Sequence, residues 1–159
     1  MTRINLVEPD HLTQVHAVAE FKEITQFLHL VKKRVKNNHP MDDLPESYTL
    51  NGGHCKFFYN KGLYLYKRYG KIYKSLVNRG INVDKTRYNA HRRRFKDSYS
   101  SYLWKDYTPT MIDYRIAVLR ILERINLKPN LYKDKNRFIK EIHRYDDYGD
   151  LHEFATCVA

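Results

Sequence analysis

Cysteine is almost missing. Cys55 and Cys157 are the only two in 159 residues, and neither has a partner at a metal-ligand or Cys-x-x-Cys spacing. That excludes a cysteine zinc site and thioredoxin-type redox chemistry, and it reads as two free thiols in a reducing compartment. Glycine and proline are scarce, at 6 and 5, so there is no long flexible linker, and no internal repeat or low-complexity segment is present. No apolar run approaches the roughly 20 residues of a membrane span. The start of the chain lacks the apolar stretch of a secretory leader. These absences point to one soluble cytoplasmic domain over residues 1–159, with no membrane partner. Acidic residues are also missing from one region: residues 51–100 hold thirteen Lys/Arg against two Asp/Glu.

That region supplies the whole excess behind the net charge of +11. Residues 1–50 hold six Lys/Arg against seven acids, and residues 101–159 hold ten against nine. A concentrated basic patch is the electrostatic footprint of a nucleic-acid binder, because neutralised phosphates release counterions. The alternative is a solvated face that keeps the protein soluble.

Apolar periodicity predicts an all-α domain of three main helices with long connecting loops. The first runs from Asp10 to about Asn38, started by Pro9 and Asp10. Its stripe is Leu12, Val15, Ala19, Ile24, Phe27, Leu28, Val31 and Val35, and its other face carries His16, Glu20 and Glu23. The second runs from His54 to Gly80, with Gly62 and Gly70 inside it weakening its continuity. The third starts with Thr108 as N-cap and Pro109 at N1. Ile112, Ile116, Leu119, Leu122 and Ile125 turn inward there, leaving Arg120 and Arg124 on a more exposed face. The basic stretch 82–107, with His91-Arg92-Arg93-Arg94, shows no clear period. A short amphipathic helix is expected around Phe138, Ile139 and Ile142.

Familiar chemical motifs are few. There is no HExxH, no Cys/His pairing at zinc spacing, no phosphate-cradling glycine loop and no GxSxG elbow. Gly52-Gly53-His54 is too short to count as one, so neither a metal nor a cofactor is expected. The amino terminus remains. With Met1 removed, Thr2 carries a free α-amine of pKa ~7.7–8.0, against ~10.4 for lysine. Such an amine keeps a neutral fraction at pH 7 and can attack an electrophilic carbon to form an imine. Arg3 beside it disfavours the protonated form and can hold a phosphate. Glu23 and His16, on one face of the first helix, are candidate partners.

Three blocks carry a resemblance. They are MTRINL followed by HAVAEFKEI (Thr2 to Ile24), PESYTLNGGHCKFFYNK continuing to NRGINV (Pro45 to Val83), and WKDYTP with LRILERINLKP (Trp104 to Pro129). In this order they resemble the pyrimidine-dimer DNA glycosylases of phage and algal-virus type, the ultraviolet endonuclease V family. The resemblance implies a DNA repair enzyme acting as a monomer on double-stranded DNA with UV lesions, in the host-cell cytoplasm if viral. It implies a Thr2 α-amine that attacks C1′ of the 5′ nucleotide of a cyclobutane dimer, and strand cleavage by β-elimination from the Schiff base. Glu23 is then the catalytic carboxylate. Arg3 and Lys22 grip phosphates near the lesion, His16 matches the family's active-site histidine, and Arg120 and Arg124 match basic positions that face DNA.

The chain departs from the family pattern at several places. Lys22 replaces an arginine, and Thr25-Gln26 replaces Pro-Arg, so Gln26 stands where an active-site arginine is usual. The aromatic segment after Lys128-Pro129 is thinner, keeping Leu131 and Tyr132. Residues 84–105 are longer and more basic, and HEFATCVA has no counterpart. These departures keep two alternatives open: a DNA-binding relative with impaired catalysis, and a Schiff-base glycosylase or AP lyase for other base lesions.

Overall fold

The computed structural model describes residues 3–156, and they are all-α, with no strand among them and one isolated antiparallel bridge, Lys61 to Trp104. Instead of three main helices there are five of ten residues or more among the described residues: α1 (Gln14–Glu23), α2 (Gln26–Lys36), α4 (Gly62–Asn78), α5 (Lys85–Ser98) and α6 (Met111–Leu127). Shorter helices are α3 (His54–Phe57), α7 (Lys135–Ile139) and α8 (Leu151–Thr156). The backbone divides into two compact units, Met1–Ile4 with Glu20–Thr108 and Asn5–Ala19 with Pro109–Ala159. The α1 helix contributes residues 20–23 to the first and 14–19 to the second.

The expected first helix is broken twice, for local reasons. Pro9 and Asp10 start only a 3-10 turn, Pro9–His11. Thr13 acts where a cap is needed: its Oγ1 accepts the His16 N–H at 3.2 Å. After Glu23 the ladder tightens to three-residue bonds, Phe27 N–H to Ile24 O and Leu28 N–H to Thr25 O. The Thr25 hydroxyl donates to Lys22 O at 3.0 Å, the side-chain competition that bends helices. Beyond the break, α2 buries Phe27, Leu28 and Val31 while Val35 lies exposed. It ends in a Schellman motif with Asn38 at positive φ, His39 N–H bonding Arg34 O and Asn38 N–H bonding Val35 O.

The second expected helix is interrupted at residues 58–61, and Gly62 marks the cause. A Cβ there would sit 2.5 Å from the Tyr99 ring and 2.9 Å from Trp104. The 99–105 segment therefore crosses the chain where no side chain fits, and Tyr64 N–H bonds Lys105 O at 3.3 Å. Glycine at position 62 is required by that crossing. From there α4 runs unbroken through Gly70 to a Schellman end, with Gly80 at φ +77° and Ile81 N–H on Leu76 O. Leu65, Tyr69, Ile72 and Leu76 form its buried stripe.

The stretch without a clear period is the α5 helix. Asp84 caps it, its carboxylate accepting the Arg87 N–H at 3.0 Å. Its inner stripe is Tyr88, Arg92 and Phe95, followed by the buried Tyr99. An arginine in the middle of that stripe hides it from a hydrophobicity reading.

In the second unit, α6 starts two residues later than expected. Thr110 and Asp113 form a capping box, with Asp113 N–H on Thr110 Oγ1 and Thr110 N–H on the Asp113 carboxylate. Its buried face is Ala117, Val118, Ile121, Leu122 and Ile125, while Ile112 is 64% exposed. Near the end of the chain, Phe138, Ile142, Tyr145 and Leu151 are buried. The Tyr145 hydroxyl accepts the Glu8 N–H at 3.0 Å, and Arg115 makes a bidentate pair with Asp150 at 2.6 and 2.8 Å.

Candidate active site at the amino terminus

The segment after residue 2 is held by hydrogen bonds to the first unit's interior. Ile4 is fully buried, and its N–H donates to His54 Nε2 at 2.8 Å. Its carbonyl accepts from the Tyr48 hydroxyl at 2.9 Å. His54 is itself fully buried, and its Nδ1–H donates to Thr49 O at 2.9 Å. One ring nitrogen must donate and the other accept, so the imidazole is neutral, with its proton on Nδ1. Burial pushes the His54 pKa below its ordinary value, the bond to Thr49 opposes this, and the Arg3 charge adds to the lowering. Burial likewise pushes the Tyr48 phenol well up.

One residue earlier, the Arg3 N–H donates to Glu23 Oε2 at 3.1 Å. Glu23 is the last residue of α1 and is half-buried, as is Arg3. Glu20, one turn back, is 1% exposed. It does not share a solvent face with Glu23 as the helical spacing suggested. Its carboxylate takes a bidentate guanidinium from Arg68 on α4, at 2.7 and 3.1 Å. The buried pair ties the end of α1 to α4 inside the first unit and so sets where Glu23 stands.

The other expected residues are distributed as follows. Thr2 lies outside the described residues, as does Cys157, while Cys55 is half-buried. Lys22 and Gln26 are exposed, Gln26 as the first residue of α2. His16 belongs to the second unit. It stacks on Tyr132 with ring centroids 4.7 Å apart, and its Nδ1 lies 2.7 Å from Thr13 Oγ1. Arg120 and Arg124 are on α6 in the same unit. Arg120 pairs with Glu123, and Arg124 is exposed.

Sequence reading missed His54, Tyr48 and the Glu20–Arg68 pair. The available signal was GHCKFFY, whose histidine passed for part of a weak Gly-Gly motif. Among the described residues no group of three or more His, Cys, Asp or Glu is placed to hold a metal ion, and no helix is long and apolar enough to cross a membrane. The arrangement offers one carboxylate bonded to the backbone N–H of the third residue, on a rigid buried base. Residues 1–89 match the family model for pyrimidine dimer DNA glycosylase, which is more than half of the chain, and the protein belongs to that family of DNA repair glycosylases.

Proposed function

We propose that the protein excises UV-induced cyclobutane pyrimidine dimers and then nicks the strand, using the α-amine of Thr2 after removal of Met1. The bond from the Arg3 N–H to the Glu23 carboxylate carries this reading. That nitrogen is the one through which residue 3 is joined to Thr2, so Glu23 is bonded to the peptide unit next to the amine.

The amine attacks C1′ of the 5′ nucleotide, and the glycosidic electron pair leaves with the pyrimidine nitrogen, which takes a proton. The sugar ring opens, O4′ is protonated, and C1′ becomes an iminium bonded to the enzyme. Glu23 stabilises this cation and moves the protons. The iminium acidifies the C2′ proton; its loss expels the 3′ phosphate by β-elimination, and water hydrolyses the imine. Arg3, Lys22 and Gln26 contact the flanking phosphates and sugar, with His16, Arg120 and Arg124 supplying further contacts to the duplex. A dimer stacks and pairs poorly, so bending DNA and flipping a base cost less there. One copy of the chain is the working unit in this reading. Replacing Glu23 by Gln keeps an acceptor for the Arg3 N–H but removes the charge. The expected result is retained DNA binding with cleavage lowered by about 10²-fold or more; unaltered cleavage would remove Glu23 from the mechanism.

A further inference from the structure

On a different part of the first unit, α4 and α5 enclose an open pocket of about 220 Å³ lined by Tyr66, Asn89, Arg92, Arg93 and Lys96. The last three lie beyond the residues that match the family. Along α5, six Lys/Arg face a single acid, Asp97. Arg92 and Lys96 stand one turn apart, a like-charge spacing that destabilises a helix unless an anion offsets it. Among the described residues no ion pair involves Arg92, Arg93 or Lys96.

Arg92 is held in place without a carboxylate. Its guanidinium lies 4.1 Å from the centroid of the Tyr66 ring and 5.7 Å from that of the Tyr88 ring. Gly70 borders the same spot: a Cβ there would make ordinary van der Waals contact with the Tyr88 oxygen, at 3.4 Å, and with the guanidinium carbon, at 3.8 Å. The Arg92 Nε is enclosed and has no hydrogen-bond acceptor. Lys96 Nζ sits 5.3 Å from the same Tyr66 ring, and Arg93 and Lys96 are exposed. A pre-oriented guanidinium beside two solvated cations and an amide is a donor set for phosphate oxygens.

The geometry points to a binding site for the DNA phosphodiester backbone in this pocket, additional to the contacts at the amino terminus and resting on the glycosylase reading for the choice of DNA. Lys85, Asn89, Arg93 and Lys96 recur at roughly one-turn intervals, so a helix rise of 1.5 Å per residue spaces them by about 4.5–6 Å. Such a row follows successive phosphates of a strand, where a lone pocket would hold one free anion.

The test is the salt dependence of binding to an undamaged, fluorescently labelled duplex. It compares wild type, Arg93→Ala/Lys96→Ala, and the charge-preserving Arg93→Lys/Lys96→Arg. Each lost phosphate contact removes about 0.9 from the slope of log K against log salt. The alanine variant is expected to show a slope shallower by about 1–2, and the charge-preserving one the wild-type slope. An unchanged slope in the alanine variant overturns the site, as does inorganic phosphate at millimolar concentration saturating the pocket and displacing the duplex from it. Wild-type cleavage of a dimer-containing duplex is measured alongside. Cleavage with an unchanged slope overturns the site and leaves the glycosylase reading standing. A shallower slope without cleavage supports the site and counts against that reading.

Discussion

The N–H of Ile4 donates to Nε2 of His54 at 2.8 Å, across fifty residues of chain. The bond exists only while the ring is neutral, because a protonated imidazole presents two donors. His54→Ala leaves the buried Ile4 N–H and Thr49 carbonyl without this partner and opens a cavity. The expected loss is about 2–5 kcal/mol, measured by urea unfolding. The same bond makes the fold acid-sensitive. The folded pKa of His54 lies below its ordinary 6.5, so the unfolded chain binds the proton first as pH falls. Stability therefore declines below about pH 6.5, and a His54 variant should lose that part of the decline.

The Glu20–Arg68 pair gives a second prediction. Removing one partner of a buried ion pair leaves an uncompensated charge. Arg68→Met is expected to cost about 3–5 kcal/mol, and Arg68→Met with Glu20→Leu to recover most of it. Because this pair positions the end of α1, the single variant should also slow cleavage by shifting Glu23. Thermal denaturation and single-turnover cleavage read the two effects.

The all-α class, the helical content of α2, α4 and α6, and the Gly80 stop were legible in the sequence because aliphatic spacing and a C′ glycine report them directly. Three features were not. The Thr25 break depends on a hydroxyl competing for Lys22 O, the gap before Gly62 on a distant segment crossing there, and α5 on a stripe whose middle is Arg92. At the candidate site, residue types were readable but burial was not. Glu20 and Glu23 look alike in a helical pattern, yet one is sealed against Arg68 and the other bonds the Arg3 amide.

Alkaline conditions should raise and then lower stability. Burial, reinforced by Lys105, lowers the Lys61 pKa from 10.5 to about 8. Between those values the unfolded chain binds more protons, so stability increases with pH. Burial raises Tyr48 and Tyr99, and Tyr69 to about 12. Above pH 10 the unfolded tyrosines ionise first and stability falls. Melting temperatures from pH 7.5 to 11 should pass through a maximum near 10, and Lys61→Met should flatten the rising limb.

Gln26 is exposed at the start of α2, so a longer cationic side chain fits there without repacking. Gln26→Arg restores the family's usual residue. It is expected to tighten binding to dimer-containing DNA by about 3–10-fold, on the scale of one charge-assisted phosphate contact. An equilibrium titration at fixed salt measures it.

The central claim is that the chain's own α-amine forms the covalent intermediate. Its most direct test is borohydride trapping on a dimer-containing duplex, followed by mass-spectrometric mapping of the DNA-linked peptide. The account predicts one adduct, on the α-amine of Thr2 in a chain lacking Met1, and none when an extra residue precedes Thr2. An adduct on a lysine, or cleavage with no trappable adduct, would contradict it.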